Sequence, residues 1–264
     1  MDLSKTLRQS RPEAMSDDEW KLRLELAACY RLFDRFGWNE LIYNHITVRV
    51  PAPSDADGAP AQYLINPFGL NYNEVTATNL VLIDVDGNKL DASPYPVNAA
   101  GFVIHSAIHA ARSDAHCVMH THTTAGMAVA CKRGGLRSDN FYSAILSGSI
   151  GYHDFEGITT DLDEQPRLVA SLGANDVLIL RNHGLLVVGE HIPLAFQTMW
   201  TLQRACEVQL AADSMAGENV PVAEGVLRVI PEQVKPMQRG QQRIGEAVYE
   251  ATLRRAGIRY EDLV

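Results

Sequence analysis

The sequence predicts an α/β fold, and three observations predict it. A capped amphipathic helix follows the N-terminal tail, short alternating strands joined by tight turns fill the first half, and two apolar strands lead into a long helix in the second. Of the 264 residues 46% are hydrophobic and 21% charged, the balance of a globular chain that buries a sizeable core. That length favours one large domain over two small ones. The expected layout is a tail over 1–16, a domain over 17–215, and a linker with a closing helix over 216–264.

Ser16-Asp17-Asp18-Glu19 has the S-x-x-E form of a capping box, and Leu22, Leu26, Cys29, Phe33 and Phe36 follow at helical spacing until Gly37 supplies a stop. Residues 41–50 alternate as a half-buried strand, with Ile46, Val48 and Val50 on one face and His45, Thr47 and Arg49 on the other. Pro51 to Pro60 reads as a loop. Short strands over 62–66 and 80–84, the second turned by Asp86-Gly87-Asn88 into Lys89-Leu90, make the first half antiparallel. A helix over 99–112 delivers the chain to a strand ending in His120-Thr121-His122. Beyond it come a helix over 124–132 stopped by Gly134-Gly135, a helix over 165–172, strands over 177–180 and 185–188, and a long helix over 192–215. The region 216–225 reads as loop, and 234–257 as a final helix.

Charge and composition exclude several functions. Lys and Arg number 23 against 32 Asp and Glu, a net −9, and no basic run is interleaved with aromatics, so nucleic acid and anionic membranes are not expected partners. No apolar run approaches the ~20 residues that span a bilayer. Residues 1–18 carry charges of both signs and do not read as a signal peptide. Cys29, Cys117, Cys131 and Cys206 are scattered through apolar segments without a CxxC pair, which suits buried thiols in a reducing, cytoplasmic setting.

The chemistry concentrates on histidines. In an extended strand alternate side chains share a face, so His120 and His122 point the same way. Their neighbours Cys117, Val118 and Met119 are apolar, and two imidazoles buried there need partners. His183 falls between two apolar strands at a sheet margin. Together the three could form a His₃ metal site with a fourth position left open, as in catalytic zinc centres. His105 and His109 share a helix face but lack the Glu of H-E-x-x-H, so they read as packed or supporting groups. His153 stands beside Tyr152, Asp154 and Glu156 in a polar cluster, and His45, His116 and His191 read as surface or structural. The sequence contains no Ser-His-Asp signature, Walker loop or G-x-G-x-x-G.

The ordered segments Tyr43-Asn44-His45-Ile46-Thr47-Val48-Arg49, Asn66-Pro67-Phe68-Gly69, His105 to Asp114, His120-Thr121-His122 and Leu180-Arg181-Asn182-His183-Gly184-Leu185 resemble the class II aldolase/adducin family over roughly 17–215. The resemblance implies a three-layer α/β/α sandwich around a mostly antiparallel sheet, commonly a homotetramer with active sites between subunits. It makes His120, His122 and His183 ligands of a divalent metal, zinc first and manganese second, and Asn44, Asn66 and Gly69 substrate-binding residues. One departure matters. Aldolases of the family carry P-S-S-E, whose Glu is the catalytic base and whose serines hold a substrate phosphate; this chain has Asn98-Ala99-Ala100-Gly101, closer to the adducin head.

The implied function is a divalent-metal-dependent carbon–carbon lyase, an aldolase or decarboxylase, acting on a small oxo- or hydroxy-acid rather than a sugar phosphate. Decarboxylation needs no base to take a hydroxyl proton, but it needs a proton donor, for which Tyr152 is the first candidate and His105 the second. The alternative is a non-catalytic scaffold like the adducin head, with a cytoskeletal, actin-type interaction. Adducins are expected to act there mainly through a long tail ending in a basic segment, and this acidic sequence shows no such segment.

Overall fold

A computed structural model describes residues 3–51, 61–158, 162–239 and 243–264. The first half contains α1 (Leu3–Ser10), α2 (Asp17–Phe36), β1 (Ile46–Val50), β2 (Gln62–Ile65), β3 (Val81–Ile83), α3 (Ala99–Ala111) and β4 (Cys117–Thr121). The second contains α4 (Thr124–Ala130), α5 (Phe141–Ile145), β5 (Ile150–His153), α6 (Gln165–Leu172), β6 (Val177–Leu180), β7 (Gly184–Gly189), α7 (Ile192–Asp213), α8 (Glu224–Arg239) and α9 (Ile244–Ala256).

Local chemistry explains where the main elements begin and end. Ser16 caps α2 by accepting a hydrogen bond from the Glu19 amide at 3.1 Å, while the Glu19 carboxylate turns to Arg23 at 2.8 Å instead of closing the box. Gly37, at φ 67°, ends the helix in the left-handed conformation that glycine adopts without strain. His191 caps α7, its Nδ1 accepting from the Leu194 amide at 3.2 Å, and Pro193 occupies the first turn, where a missing N–H costs nothing.

The seven strands form one sheet in the order β3-β2-β1-β4-β7-β6-β5. Every pairing is antiparallel except β5 with β6, so the sheet is mostly antiparallel as expected. Helices cover both faces. On one, Ile46, Val48, Cys117, Met119, Ile179 and Val187 join residues of α2 and α7 in the main core. On the other, Val118, Leu178, Leu186 and Val188 meet Ile104, Ile108 and Leu168 of α3 and α6. The result is the three-layer α/β/α arrangement.

Several expected elements shift. Residues 41–45 are not strand: Leu41 takes φ 50°, and the chain turns before β1 begins at Ile46. The face of β1 bearing Thr47 is not solvated either, because α3 covers it and Thr47 is fully buried. The expected final helix over 234–257 is replaced by two, α8 and α9, with α8 starting ten residues earlier at Glu224. Helix α9 packs on its own chain, its buried Tyr249 donating to the Glu25 carbonyl at 2.7 Å. Cys131 is exposed, against the expectation that all four thiols are buried. Past Pro51 the expected loop lies outside the described residues. Among the described residues no helix is long and apolar enough to cross a membrane.

Candidate metal centre

β4 carries His120 and delivers His122 just beyond its end; the β6–β7 hairpin brings His183 to the same edge. Turning that hairpin puts Asn182 at φ 57°, a left-handed position that Asn tolerates, with its N–H on the Ala130 carbonyl at 3.2 Å. Gly184 is required next: a Cβ there would lie 2.3 Å from the Thr121 carbonyl oxygen and 3.0 Å from the His122 ring. Only a glycine lets β7 start this close to β4, and the closeness sets His183 beside the other two.

The ring centroids are 4.5 Å apart for His120 and His122 and 4.8 Å for each of them with His183. One nitrogen from each ring lies within 4.8 Å of the others. Nδ1 of His120 is 2.9 Å from the Leu185 carbonyl, which can only accept, so that nitrogen carries the proton and Nε2 presents its lone pair. Nε2 of His122 is 2.7 Å from it. Burial, then the neighbouring imidazoles, holds His120 well below the ordinary histidine range and brings His183 down to about 4; burial also lowers His122. Three neutral imidazoles converging on one point are the donor set of a tetrahedral site with an open position, so the residues fit a divalent ion.

Behind the triad lies a second histidine cluster. His45 stacks edge-on against His105 at 4.2 Å and lies 5.8 Å from His120. Thr47 Oγ1 is 2.7 Å from His105 Nδ1 and 2.8 Å from His109 Nε2, and His109 Nδ1 is 2.7 Å from the Ala115 carbonyl. These contacts assign the protons. The Ala115 carbonyl needs an N–H from His109, so His109 Nε2 accepts the Thr47 hydroxyl proton. Thr47 then accepts from His105 Nδ1–H, which leaves His105 Nε2 a bare acceptor. Burial supports the neutral forms, lowering His105 far below its usual value and His45 and His109 to about 3. His105 Nε2, His45 Nδ1 and Asn44 Oδ1 are buried without a partner.

The structure distributes the sequence candidates unevenly. Asn44 reaches the triad's backbone, its amide donating to the His120 carbonyl at 3.3 Å. Asn66 is buried against the Tyr30 hydroxyl at 3.0 Å, and Gly69 sits at φ 101° in a turn; neither hydrogen-bonds to the triad. Tyr152 is not brought to the triad. It lies on the sheet face that packs with Cys117 and Met119, accepts from the Leu136 amide at 3.0 Å, and has the Arg181 guanidinium over its ring at 4.4 Å. His105 keeps its place nearby, but with the opposite role: an acceptor, not a proton donor. Ala99, Ala100 and Gly101 form the first turn of α3, and their side chains lie outside the described residues. His45, read from sequence as surface or structural, is 3% exposed and faces the cluster. Its signal was the alternation that also places Thr47 on the polar face of β1.

A mixed sheet between helical layers, with three imidazoles converging at the ends of its central strands, defines an α/β protein with a candidate metal centre. The chain belongs to the class II aldolase and adducin N-terminal domain family, which matches residues 24–210. It is 43% identical over 242 residues to a Pseudomonas aeruginosa protein whose name places it among the class 2 aldolases, covering 91% of both chains. It is similar to the crystal structure of an aldolase II superfamily protein from Pseudomonas syringae, with a TM-score of 0.85, 41% identity, and coverage of 92% of this chain and 95% of that one. It is also 45% identical over 214 residues to rat alpha-adducin, a match covering 80% of this chain and 28% of adducin.

Proposed function

We propose that this chain is a divalent-metal-dependent carbon–carbon lyase of the aldolase or decarboxylase type, acting on a small oxo- or hydroxy-acid rather than a sugar phosphate. The convergence of three neutral imidazoles carries the reading. His120, His122 and His183 would hold the ion, zinc first and manganese second, which supplies electron withdrawal from the breaking carbon–carbon bond. The chain's own groups orient the site: the Leu185 carbonyl fixes the His120 tautomer, and the Asn44 amide holds the backbone behind it. Residue 101 is a glycine where related aldolases carry the base, which favours decarboxylation, a cleavage that removes no hydroxyl proton. The reading takes 17–215 as the catalytic unit, Asn66 and Gly69 as substrate contacts, and a cytoplasmic homotetramer as the working form.

The similarity to alpha-adducin favours a second reading, a binding protein that uses the same fold without catalysis. Metal analysis of the purified protein separates them first. The lyase predicts about one divalent ion per chain, lost in His122→Ala. Loaded protein should then release carbon dioxide or an aldehyde from one of a panel of 2-oxo acids and hydroxylated aromatic acids. Metal-free protein of unaltered stability sinks the lyase; loaded but inert protein that co-sediments with actin filaments replaces it with the second reading.

A further inference from the structure

A depression of about 350 Å³ at the β6–β7 turn is lined by Lys132, Arg133 and Arg181, with Asn182 and a single carboxylate, Asp154. A smaller cavity lined by His183 and Phe155 shares Arg181 and Asp154 with it, so these two residues stand between the depression and His183. In the depression itself three cations face one anion, a local inversion in a chain of net charge −9; the smaller cavity adds Glu156 and Glu164, which are held by Arg167 and His153. Lys132 acts at a distance on Asp213, but among the described residues Arg181 is paired with no carboxylate.

Arg181 is also held in place. Its Nη1 donates to the Lys132 carbonyl at 2.8 Å and the Arg133 carbonyl at 3.2 Å, and its plane sits 4.4 Å over the Tyr152 ring. Tyr152 is fixed in turn by the Leu136 amide. The guanidinium is therefore preorganised, with the donors of Nε and Nη2 left over, a fork that suits a carboxylate.

We propose that Lys132, Arg133 and Arg181 form a subsite for a second anionic group of the substrate, which makes the substrate a dicarboxylic hydroxy acid. The inference rests on the metal reading above, with the chelating end of the acid at His120, His122 and His183. Arg181 and His183 are two residues apart on the turn between β6 and β7, so the guanidinium and the candidate ligand leave the same short segment. Tyr152 thereby acquires a role at a distance from the metal: it positions the arginine.

The test compares 2-hydroxyglutarate with 2-hydroxypentanoate on zinc-loaded protein by calorimetry. The two share the chelating end and differ in a distal carboxylate against a methyl. The dicarboxylate should bind at least about tenfold more tightly, with an advantage that shrinks as salt rises. In Arg181→Gln, and separately in the exposed pair Lys132→Gln/Arg133→Gln, the ratio should fall toward one. Equal affinities in the loaded wild type, or a ratio that neither variant changes, overturn the subsite. Zinc content on the same samples tells the failures apart. Protein that takes up no zinc overturns the metal reading; in it, a dicarboxylate preference that the variants remove supports the subsite alone, and the absence of one overturns both.

Discussion

The two faces of β1 and β4 are equally buried and chemically opposite. Towards α2 and α7, Ile46, Val48, Cys117 and Met119 meet Phe33 and Phe196 in an apolar core. Towards α3, Thr47 and His120 meet a run of imidazoles, with buried nitrogens of His45 and His105 left unpartnered. Apolar burial stabilises without direction, so the first face can supply stability. Buried imidazoles stabilise only when each nitrogen is matched, so a face that leaves nitrogens unmatched costs the fold stability.

That contrast can be broken from either side. Phe196, fully buried among Phe33, Trp38 and Tyr249, is the strongest lever on the apolar face. Phe196→Ala should lower unfolding stability by about 3–5 kcal/mol in denaturant titrations while zinc stoichiometry holds. A variant that lost zinc in the folded state would show the faces are not separable. On the histidine face, Thr47→Val leaves His105 Nδ1 and His109 Nε2 without the shared hydroxyl and should cost about 1–3 kcal/mol, with Thr47→Ser restoring most of it. Equal stability of Val and Ser at this position would refute the stabilising role of the hydroxyl bridge.

The effects of pH carry opposite signs. Histidines depressed to about 3 in the folded state bind protons more readily when the chain unfolds, so the histidine face loses stability as pH falls below about 6.5. Glu25, on α2 beneath α9, does the reverse. Burial raises it to about 7, with Glu250 and Glu246 adding to the rise against Lys21 at 3.8 Å. The folded state then holds the extra proton, so this group's contribution declines as pH rises from about 4.5 to 7. In a stability–pH profile, Glu25→Gln should flatten that decline and leave the acid limb unchanged.

Much of the architecture was legible because it depends on local pattern. The Ser16 cap, the alternation of Ile46, Val48 and Val50, and the apolar runs of β6 and β7 each encode an element within a few residues. The triad was legible for a similar reason: His120 and His122 share a strand face, and His183 adjoins a glycine at a hairpin. The surroundings of Tyr152 and His45 were not legible, because neighbours distant in sequence decide them. Tyr152 is claimed by Leu136 and Arg181 on one side of the sheet, and His45 by His105 on the other.

The sequence by itself determined the mixed α/β order, the antiparallel first half and three candidate ligands, since strand periodicity and glycine placement act over short range. Tertiary structure alone decided that α3 closes over Thr47, that the Ala115 carbonyl fixes the proton on His105, and that Lys132 and Arg133 stand beside Arg181. Protonation and local charge depend on which groups meet across tens of residues, and a hydrogen-bond network assigns its protons only when the last acceptor is in place.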